Sequence, residues 1–308
     1  MHALSFRRRN QVRAALLHGA IALLLALLAS AASAQAPTSV VVSWSPEWPV
    51  QGTIFTLRVA AEVPLRSLTG TAAEEPLHFL GDGDGGYFAL AAVPIDTTGE
   101  LIVPLRIERI DGGRETLELR IPVVPGAYRM EKLTVAPRFG QQPDAALAAR
   151  IAAEAERARQ VSRRSHETPR LWEGEFLRPR PGRITSGFGN GREFNGRVQS
   201  RHMGTDFAGT VGEPVHAAAR GRVALVDSFY LGGNVVYLDH GAGLVTAYLH
   251  LSRAEVAPGE IVEAGQLIGR VGATGRVTGP HLHWIVRYGS ITVDPLSLLQ
   301  LAPTALAR

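Results

Sequence analysis

The chain has 308 residues, which is enough for two domains that each bury a core of their own. It has no cysteine, and this excludes disulfides, a lipidated cysteine, a thiol nucleophile and a thiolate metal site. The formal charge is +4, but four arginines and no acid lie within residues 1–34, so the remaining chain is formally neutral. We therefore expect no nucleic-acid partner.

Residues 1–34 have the three parts of a secretory signal peptide. Arginines at positions 7, 8, 9 and 13 form a positive start, residues 20–29 are apolar, and Ala32-Ser33-Ala34 offers the small residues that a signal peptidase requires. The alternative is an uncleaved membrane anchor, but a bilayer span needs roughly 20 apolar residues. We expect cleavage after Ala34, export of the protein, and membrane contact only through this signal.

Residues 35–136 are predicted to form a β-sandwich. Short β-branched or alternating segments recur along this part, and two of them, 101–109 and 115–123, flank a turn at Asp111-Gly112-Gly113. Strands at this spacing, with little helical periodicity, are typical of a small sandwich.

Residues 137–182 predict one amphipathic helix followed by an extended connector. Apolar residues recur three or four positions apart, and Asp144 stands where an N-terminal cap is expected. The apolar positions are Leu147, Ile151, Ala155 and Ala158. Prolines at positions 169, 179 and 181 then favour an extended chain.

Residues 183–308 are again predicted to be β, and they hold a His and an Asp four positions apart at His202 and Asp206. Gly204 and Thr205 favour a strand and turn over a helix here. A turn also brings an imidazole and a carboxylate onto one metal ion. A hydrogen-bonded His–Asp pair without a metal is the alternative for this cluster alone.

Two further clusters contain histidines at strand spacing. Residues two apart in a strand point to the same face, so His281 and His283 are predicted to lie side by side, with Leu282 on the packed face. By the same rule, Tyr248 and His250 are predicted to share a face. Taken singly, these clusters also fit a solvated strand face or a half-buried structural histidine.

Together, the three clusters predict a zinc site with catalytic histidines. Two imidazoles and one carboxylate make a three-ligand zinc site with a fourth position for water. Zinc lowers the pKa of that water and polarises a scissile carbonyl. Hydrolysis also needs a base and a group that stabilises the oxyanion, which two further histidines can supply. The helical metalloprotease signature with its adjacent Glu is absent, so histidine is the best available base.

These residues resemble the motifs of the lysostaphin-like (LytM-type) zinc endopeptidases of bacterial cell walls. The resemblance rests on His202-x-x-x-Asp206, Tyr248-Leu249-His250 and His281-x-His283. Supporting segments include Ser186-Gly187-Phe188-Gly189, Phe194-Asn195-Gly196, Gly232-Gly233-Asn234 and Val293-Asp294-Pro295. The similar region covers roughly residues 181–300. The chain is thus predicted to be mainly β, with a β-sandwich, a helical connector and a C-terminal β-sheet groove.

The resemblance implies one zinc ion at the floor of the groove and a role for each residue. The implied zinc ligands are His202, Asp206 and His283. His281 matches the general base, and His250 matches the histidine that binds the water or stabilises the oxyanion. We expect Asn195 and Tyr248 to contact the substrate.

The implied activity is hydrolysis of the peptide cross-links between peptidoglycan stem peptides. Export without any cysteine fits the periplasm of a Gram-negative bacterium. One alternative is a catalytically inactive domain of this type that activates a separate cell-wall amidase. Another is a carbohydrate-binding or scaffold protein whose histidine cluster stores metal. We also hypothesise that the N-terminal domain covers or presents the groove.

Overall fold

A computed structural model describes residues 40–83, 85–196 and 198–301. The predicted signal peptide, residues 1–34, lies outside the described residues. Strands account for 47% of the structure and helices for 12%, so the prediction of a mainly β chain is confirmed. Within the described ranges, every helix is too short or too polar to cross a membrane.

Two four-stranded sheets with a common core form the N-terminal part. The first has the order β1 (Val40–Ser45), β2 (Ile54–Ala61), β6 (Gly86–Ala92) and β5 (Leu80–Gly81). The second has the order β4 (Glu75–Pro76), β3 (Leu65–Ala72), β7 (Glu100–Arg109) and β8 (Arg114–Pro122). Phe55 and Leu57 of the first sheet meet Val103 and Leu105 of the second in one apolar cluster. Two sheets packed face to face in this way form a sandwich.

The hairpin of β7 and β8 shows how this part of the sequence specifies its fold. Every second residue from Leu101 to Ile107 is buried, and the residues between them are exposed. Gly112 has a φ of 88°, a conformation that glycine adopts without steric cost. The Asp111 carboxylate accepts a hydrogen bond from the Gly113 amide at 2.9 Å. The predicted turn is therefore confirmed.

The residues between β8 and the long helix, 123–144, are called the connecting segment here, and one strand in it pairs with the C-terminal part. β9 (Met130–Leu133) lies parallel to β11 (Gly191–Phe194), which is antiparallel to β12 (Val198–Arg201). β9 precedes residue 136, where the N-terminal domain is predicted to end, yet the strand beside it belongs to the C-terminal part. The connecting segment therefore contributes a strand to the surroundings of β11.

The predicted helix is present as α1 (Ala145–Arg164). The Asp144 side chain accepts a hydrogen bond from the Leu147 amide at 2.8 Å, so the predicted cap is confirmed. Ala158 is buried in an apolar cluster with Val235 and Ala247 of the C-terminal sheet. The helix is thus a packing element against that sheet.

Ten strands form the C-terminal sheet, which ends near a short helix, α2 (Pro295–Leu298). Its main path has the order β10 (Ile184–Ser186), β13 (Thr205–Ala208), β20 (His281–Tyr288), β17 (Leu244–Ala254), β16 (Gly233–Gly241), β15 (Gly221–Phe229) and β18 (Ile261–Val262). The other strands are β14 (Pro214–His216), β19 (Leu267–Val271) and β21 (Ile291–Val293). β14 pairs with β19, β19 pairs with β17, and β21 pairs with β20. The order places β13, β20 and β17, which carry most of the predicted site residues, side by side.

The sandwich and the large sheet share an apolar core. Ile54 of β2 belongs to the same buried cluster as Trp284 and Tyr288 of β20. Hydrogen bonds cross the same boundary: the Ile54 amide donates to the Ser297 hydroxyl at 3.1 Å, and the Tyr288 hydroxyl donates to the Pro76 carbonyl at 2.7 Å. The two parts are therefore packed directly against each other.

Candidate metal centre and active site

Strand pairing brings Asp206 and His283 together. In the antiparallel pair of β13 and β20, Asp206 lies directly opposite His283. Residues in this relation share one face of a sheet, with Cβ atoms about 5 Å apart. Asp206 Oδ1 lies 2.6 Å from His283 Nδ1. Phe207 and Trp284, the next residue on each strand, are fully buried in the core.

His202 reaches the same point from the turn before β13. Its Nε2 lies 3.0 Å from Asp206 Oδ1 and 2.9 Å from His283 Nδ1. Gly204 permits this approach, because a Cβ at that position would lie 2.6 Å from both His283 Cε1 and the Trp284 carbonyl oxygen. The strand and turn predicted for this motif are therefore confirmed.

One atom from each of these three residues therefore points into a small, shared, buried volume. The atoms lie within 4.8 Å of one another, and His202, Asp206 and His283 are only 2%, 5% and 8% exposed. Two imidazole nitrogens and one carboxylate oxygen are ligands that zinc takes in hydrolytic sites, where a fourth position stays open. The residues fit a metal ion by donor type and by convergence.

Backbone carbonyl groups fix the proton position on three histidines of the site. Nδ1 of His202, His250 and His281 each donates a hydrogen bond to a carbonyl oxygen. The acceptors are Gly187, Thr274 and Gly279, at 2.7, 2.8 and 2.8 Å. A neutral imidazole that donates from Nδ1 keeps a free electron pair on Nε2. In His202 that pair faces the other ligand atoms, and in the other two it is available to accept a proton.

Burial and hydrogen bonds shift the pKa values of three groups at this point, His250, His283 and Asp206, in directions that favour metal binding. Burial lowers the pKa of His283 to about 4, although its hydrogen bond with Asp206 opposes this. Burial, together with the charges of His281 and His283, lowers the pKa of His250 well below its ordinary value. Burial alone would raise the pKa of Asp206, but hydrogen bonds with His202 and His283 lower it well below its usual range. Neutral His250 and His283 therefore stand beside an ionised Asp206 near pH 7.

His202, Asp206 and His283 form the candidate metal-ligand group, called the ligand cluster below, and the two histidines predicted to be catalytic lie next to it. His281 shares the strand face of His283, and its Nε2 is 3.7 Å from Asp206 Oδ1. The centre of the His250 ring lies 4.9 Å from that of His281 and 5.7 Å from that of His283. The structure thus brings all five predicted residues into one cluster.

The prediction that Tyr248 and His250 share a strand face is wrong. Tyr248 lies opposite Trp284 in the register of β17 and β20 and is fully buried in the core. Its hydroxyl oxygen accepts a hydrogen bond from the Ala218 amide at 2.9 Å. His250 has a φ of 63°, which interrupts the alternation and places its ring beside His283. Tyr248 therefore supports the core and is too deeply buried to contact a substrate.

Asn195 is also placed differently from the predicted substrate contact. Its Oδ1 accepts a hydrogen bond from the Val135 amide at 2.9 Å, and its Nδ2 donates to the Val135 carbonyl at 3.0 Å. The residue follows β11 and has a φ of 50°. Both of its side-chain polar atoms are therefore used to attach the connecting segment to the hairpin of β11 and β12.

Arg192 of β11 is a partner of the ligand cluster that the sequence analysis missed. Its Nη2 donates to Asp206 Oδ2 at 2.6 Å, and its Nε donates to Glu131 Oε2 at 3.1 Å. Glu131 of β9 also accepts hydrogen bonds from Ser186 and Asn190. All but one of the 32 basic residues are arginines, so no sequence signal distinguishes Arg192 from the others. Such partners orient ligating carboxylates and adjust their basicity.

Two open cavities flank the ligand cluster. The larger, of about 640 Å³, is lined in part by Asp206 and His281. The smaller, of about 180 Å³, is lined in part by His202, His250 and His283. Arg192, Phe194 and Arg276 line both cavities. The ligand atoms are thus reached from two adjoining cavities.

Comparisons with known proteins agree with this geometry. Residues 200–295 match the model of peptidase family M23. Over 115 residues the chain is 43% identical to the peptidoglycan DD-endopeptidase ShyB of Vibrio cholerae, a match covering 37% of this chain and 27% of ShyB. It is 42% identical over 97 residues to the DD-carboxypeptidase/endopeptidase Mpg of Neisseria meningitidis, which covers 32% of this chain and 22% of Mpg. The chain thus spans about a quarter of the length of these curated relatives.

One solved structure resembles most of the described chain. The crystal structure of a peptidase M23 protein from Pseudomonas aeruginosa has a TM-score of 0.62 and 26% sequence identity. The similarity covers 82% of this chain and 95% of that one, so it includes residues outside the family match. The region that matches the family model contains His202, Asp206, His250, His281 and His283. Residues 200–295 therefore match a domain of peptidase family M23.

Proposed function

We propose that this protein is a zinc-dependent endopeptidase that hydrolyses the peptide cross-links of peptidoglycan. The observation that carries the proposal is the convergence of His202 Nε2, Asp206 Oδ1 and His283 Nδ1 beside two further histidines. Three protein ligands leave a fourth zinc position for water or substrate, which is the composition of a catalytic site rather than a closed structural one.

His202, Asp206 and His283 would hold the zinc ion. The ion would supply a bound water with a pKa near neutrality and would polarise the scissile carbonyl group. His202 is prepared for this role because its Nδ1 proton is engaged by the Gly187 carbonyl, which leaves Nε2 as the ligating atom. Asp206 is prepared by Arg192, which occupies Oδ2 and leaves Oδ1 facing the histidines.

His281 acts as the general base in this proposal. Its Nδ1 proton is held by the Gly279 carbonyl, so Nε2 accepts the proton of the attacking water. The protonated imidazole then returns that proton to the departing amine. His250 has the same tautomer, enforced by Thr274, and its neutral Nε2 accepts a hydrogen bond from the water and orients it. Its depressed pKa keeps it neutral for this role.

The substrate class rests on the relatives and on the open cavities. ShyB and Mpg carry names that describe peptidases, and ShyB is named for peptidoglycan. The adjoining cavities offer room for a peptide on both sides of the ligand atoms. The signal-like N-terminal sequence supports export to the periplasm of a Gram-negative bacterium, where peptidoglycan is reached.

Incubation with cross-linked sacculi tests this proposal. Purified protein spanning residues 35–308 should release muropeptides whose new termini identify the cleaved cross-link, and a chelator should abolish the release. The His281→Ala variant should retain zinc and lose most of the hydrolysis. Full metal content with no hydrolysis by the unmodified protein would instead support a binding module that activates a separate amidase.

A further inference from the structure

Arg276 occupies a distinctive position in the loop between β19 and β20. It lines both cavities beside the ligand cluster. Its guanidinium group stacks on Phe194, with Cζ 4.0 Å from the ring centre. The residue is half-buried, and the Phe194 ring beneath it is buried. A cation is thus held at the junction of the two cavities by an aromatic ring.

This guanidinium group has no anionic partner within the part of the chain that the structure describes. Its side chain makes neither a hydrogen bond nor an ion pair there. Arg192, which is close enough to repel it, has two carboxylate partners, Glu131 and Asp206. Burial, and then the charge of Arg192, lowers the pKa of Arg276 to about 10. The charged form of Arg276 therefore lacks a compensating anion.

Positive charge also exceeds negative charge around the larger cavity. Its lining includes four cationic side chains, Lys132, Arg183, Arg192 and Arg276, and two carboxylates, Glu131 and Asp206. Both carboxylates already accept hydrogen bonds from Arg192. An anionic group of a bound molecule would therefore meet uncompensated positive charge. A planar guanidinium group suits a carboxylate best, because two parallel N–H groups match its two oxygens.

We propose that Arg276 binds a free carboxylate of the substrate beside the scissile amide, so that the enzyme prefers acidic peptides. This inference rests on the proposed function and specifies the substrate class for the same site. Peptidoglycan stem peptides carry free carboxylates on the residues near their cross-links. In this arrangement Arg276 is a specificity-determining residue, and the metal ligands and His281 act on the amide itself.

The test compares two forms of one substrate. Cross-linked muropeptide dimers are prepared with free carboxylates and with those carboxylates converted to primary amides. For the unmodified protein, amidation should lower kcat/KM by about 10- to 100-fold, which corresponds to losing a hydrogen bond between charged groups. Arg276→Gln should lower kcat/KM on the acidic dimer by a similar factor and should show little further loss on the amidated dimer.

Two further variants separate recognition from a structural effect. Arg276→Lys keeps the charge without the planar fork, so its kcat/KM on the acidic dimer should lie between those of the unmodified protein and Arg276→Gln. Arg222→Gln, on β15 and three strands away from β20, should retain the full preference for the acidic dimer. Equal losses on both dimers in Arg276→Gln would contradict the proposal and would indicate a general effect on catalysis.

A binding measurement keeps this inference separate from the peptidase activity. Calorimetry measures the binding of a tetrapeptide muropeptide, in acidic and amidated form, to the full protein and to Arg276→Gln. Tighter binding of the acidic form that is lost in Arg276→Gln would support carboxylate recognition even if neither dimer is cleaved. Absence of cleavage would then count against the proposed function alone. Equal binding of both forms by the unmodified protein would overturn the inference.

Discussion

Arg192 donates a hydrogen bond to Oδ2 of Asp206 at 2.6 Å, while the other carboxylate oxygen faces His202 and His283. Because Arg192 occupies Oδ2, Oδ1 is the oxygen that is available to a metal ion. The bond is charge-assisted and partly buried, so it restricts the orientation of the carboxylate.

Replacing Arg192 should therefore weaken zinc binding. We expect Arg192→Gln to reduce zinc affinity by about 10- to 100-fold, the usual cost of losing a group that orients a metal ligand. Competition with a chromophoric chelator measures this affinity directly. Unchanged affinity would show that Asp206 keeps its orientation without Arg192.

Replacing Glu131 should weaken zinc binding through Arg192. Glu131 lies on β9, outside the region that matches the family model, and its carboxylate holds the Arg192 guanidinium group at 3.1 Å. Glu131→Gln should lower zinc affinity by less than Arg192→Gln does, and combining the two changes should add little because the residues act in one chain of contacts. The matched control is Glu193→Gln on β11, whose side chain makes no ion pair within the described ranges. If the losses of zinc affinity add in the double variant, Glu131 does not act through Arg192.

Gly204 should be required for the approach of His283 to His202. A Cβ at position 204 would lie 2.6 Å from two atoms, one of them a backbone oxygen that cannot easily move. We expect Gly204→Ala to lower the free energy of unfolding by about 1–3 kcal/mol, the range for overpacking, and to weaken zinc binding. Chemical denaturation measures the first effect. Gly81→Ala is the control, because the nearest atom to its Cβ would lie 4.0 Å away, and equal destabilisation by both changes would count against the close approach.

His240 should make the metal-free protein less stable in acid. Burial lowers its pKa to about 4, while the unfolded chain has the ordinary value of 6.5. The unfolded state therefore binds more protons between these values, so stability is fully present above pH 6.5 and falls as the pH drops towards 4. The shift corresponds to about 3 kcal/mol. Urea unfolding between these pH values measures the free energy of unfolding of both proteins. It should fall less in His240→Gln than in the unmodified protein, by about the amount of the shift. Equal losses in the two proteins would refute the lowered pKa of His240 as the cause.

The local signals in the sequence predicted the features that depend on neighbouring residues. The Asp144 cap, the turn at Asp111-Gly112-Gly113 and the shared face of His281 and His283 each follow from spacing along one segment. The prediction for Tyr248 failed because it assumed regular strand geometry up to His250. The positive φ of His250 breaks that geometry, and the alternation of residues along the strand does not reveal it.

Contacts between distant segments were beyond the reach of spacing rules. The Glu131–Arg192–Asp206 chain depends on the parallel pairing of β9 with β11, which places a residue of the connecting segment next to the candidate metal ligands. Asn195 was expected near the substrate, but the same packing supplies Val135 as its partner. In both cases the hydrogen-bond partner of the side chain comes from a segment that is distant in the sequence.

Anomalous diffraction at the zinc absorption edge, from crystals of the zinc-loaded protein, tests the central claim most directly. We expect a single strong peak about 2.0–2.2 Å from His202 Nε2, from a carboxylate oxygen of Asp206 and from His283 Nδ1. The peak should be absent from crystals of the Asp206→Ala variant grown under the same conditions. A peak bound elsewhere on the chain, or no peak between these three side chains, would contradict the assignment of the metal centre.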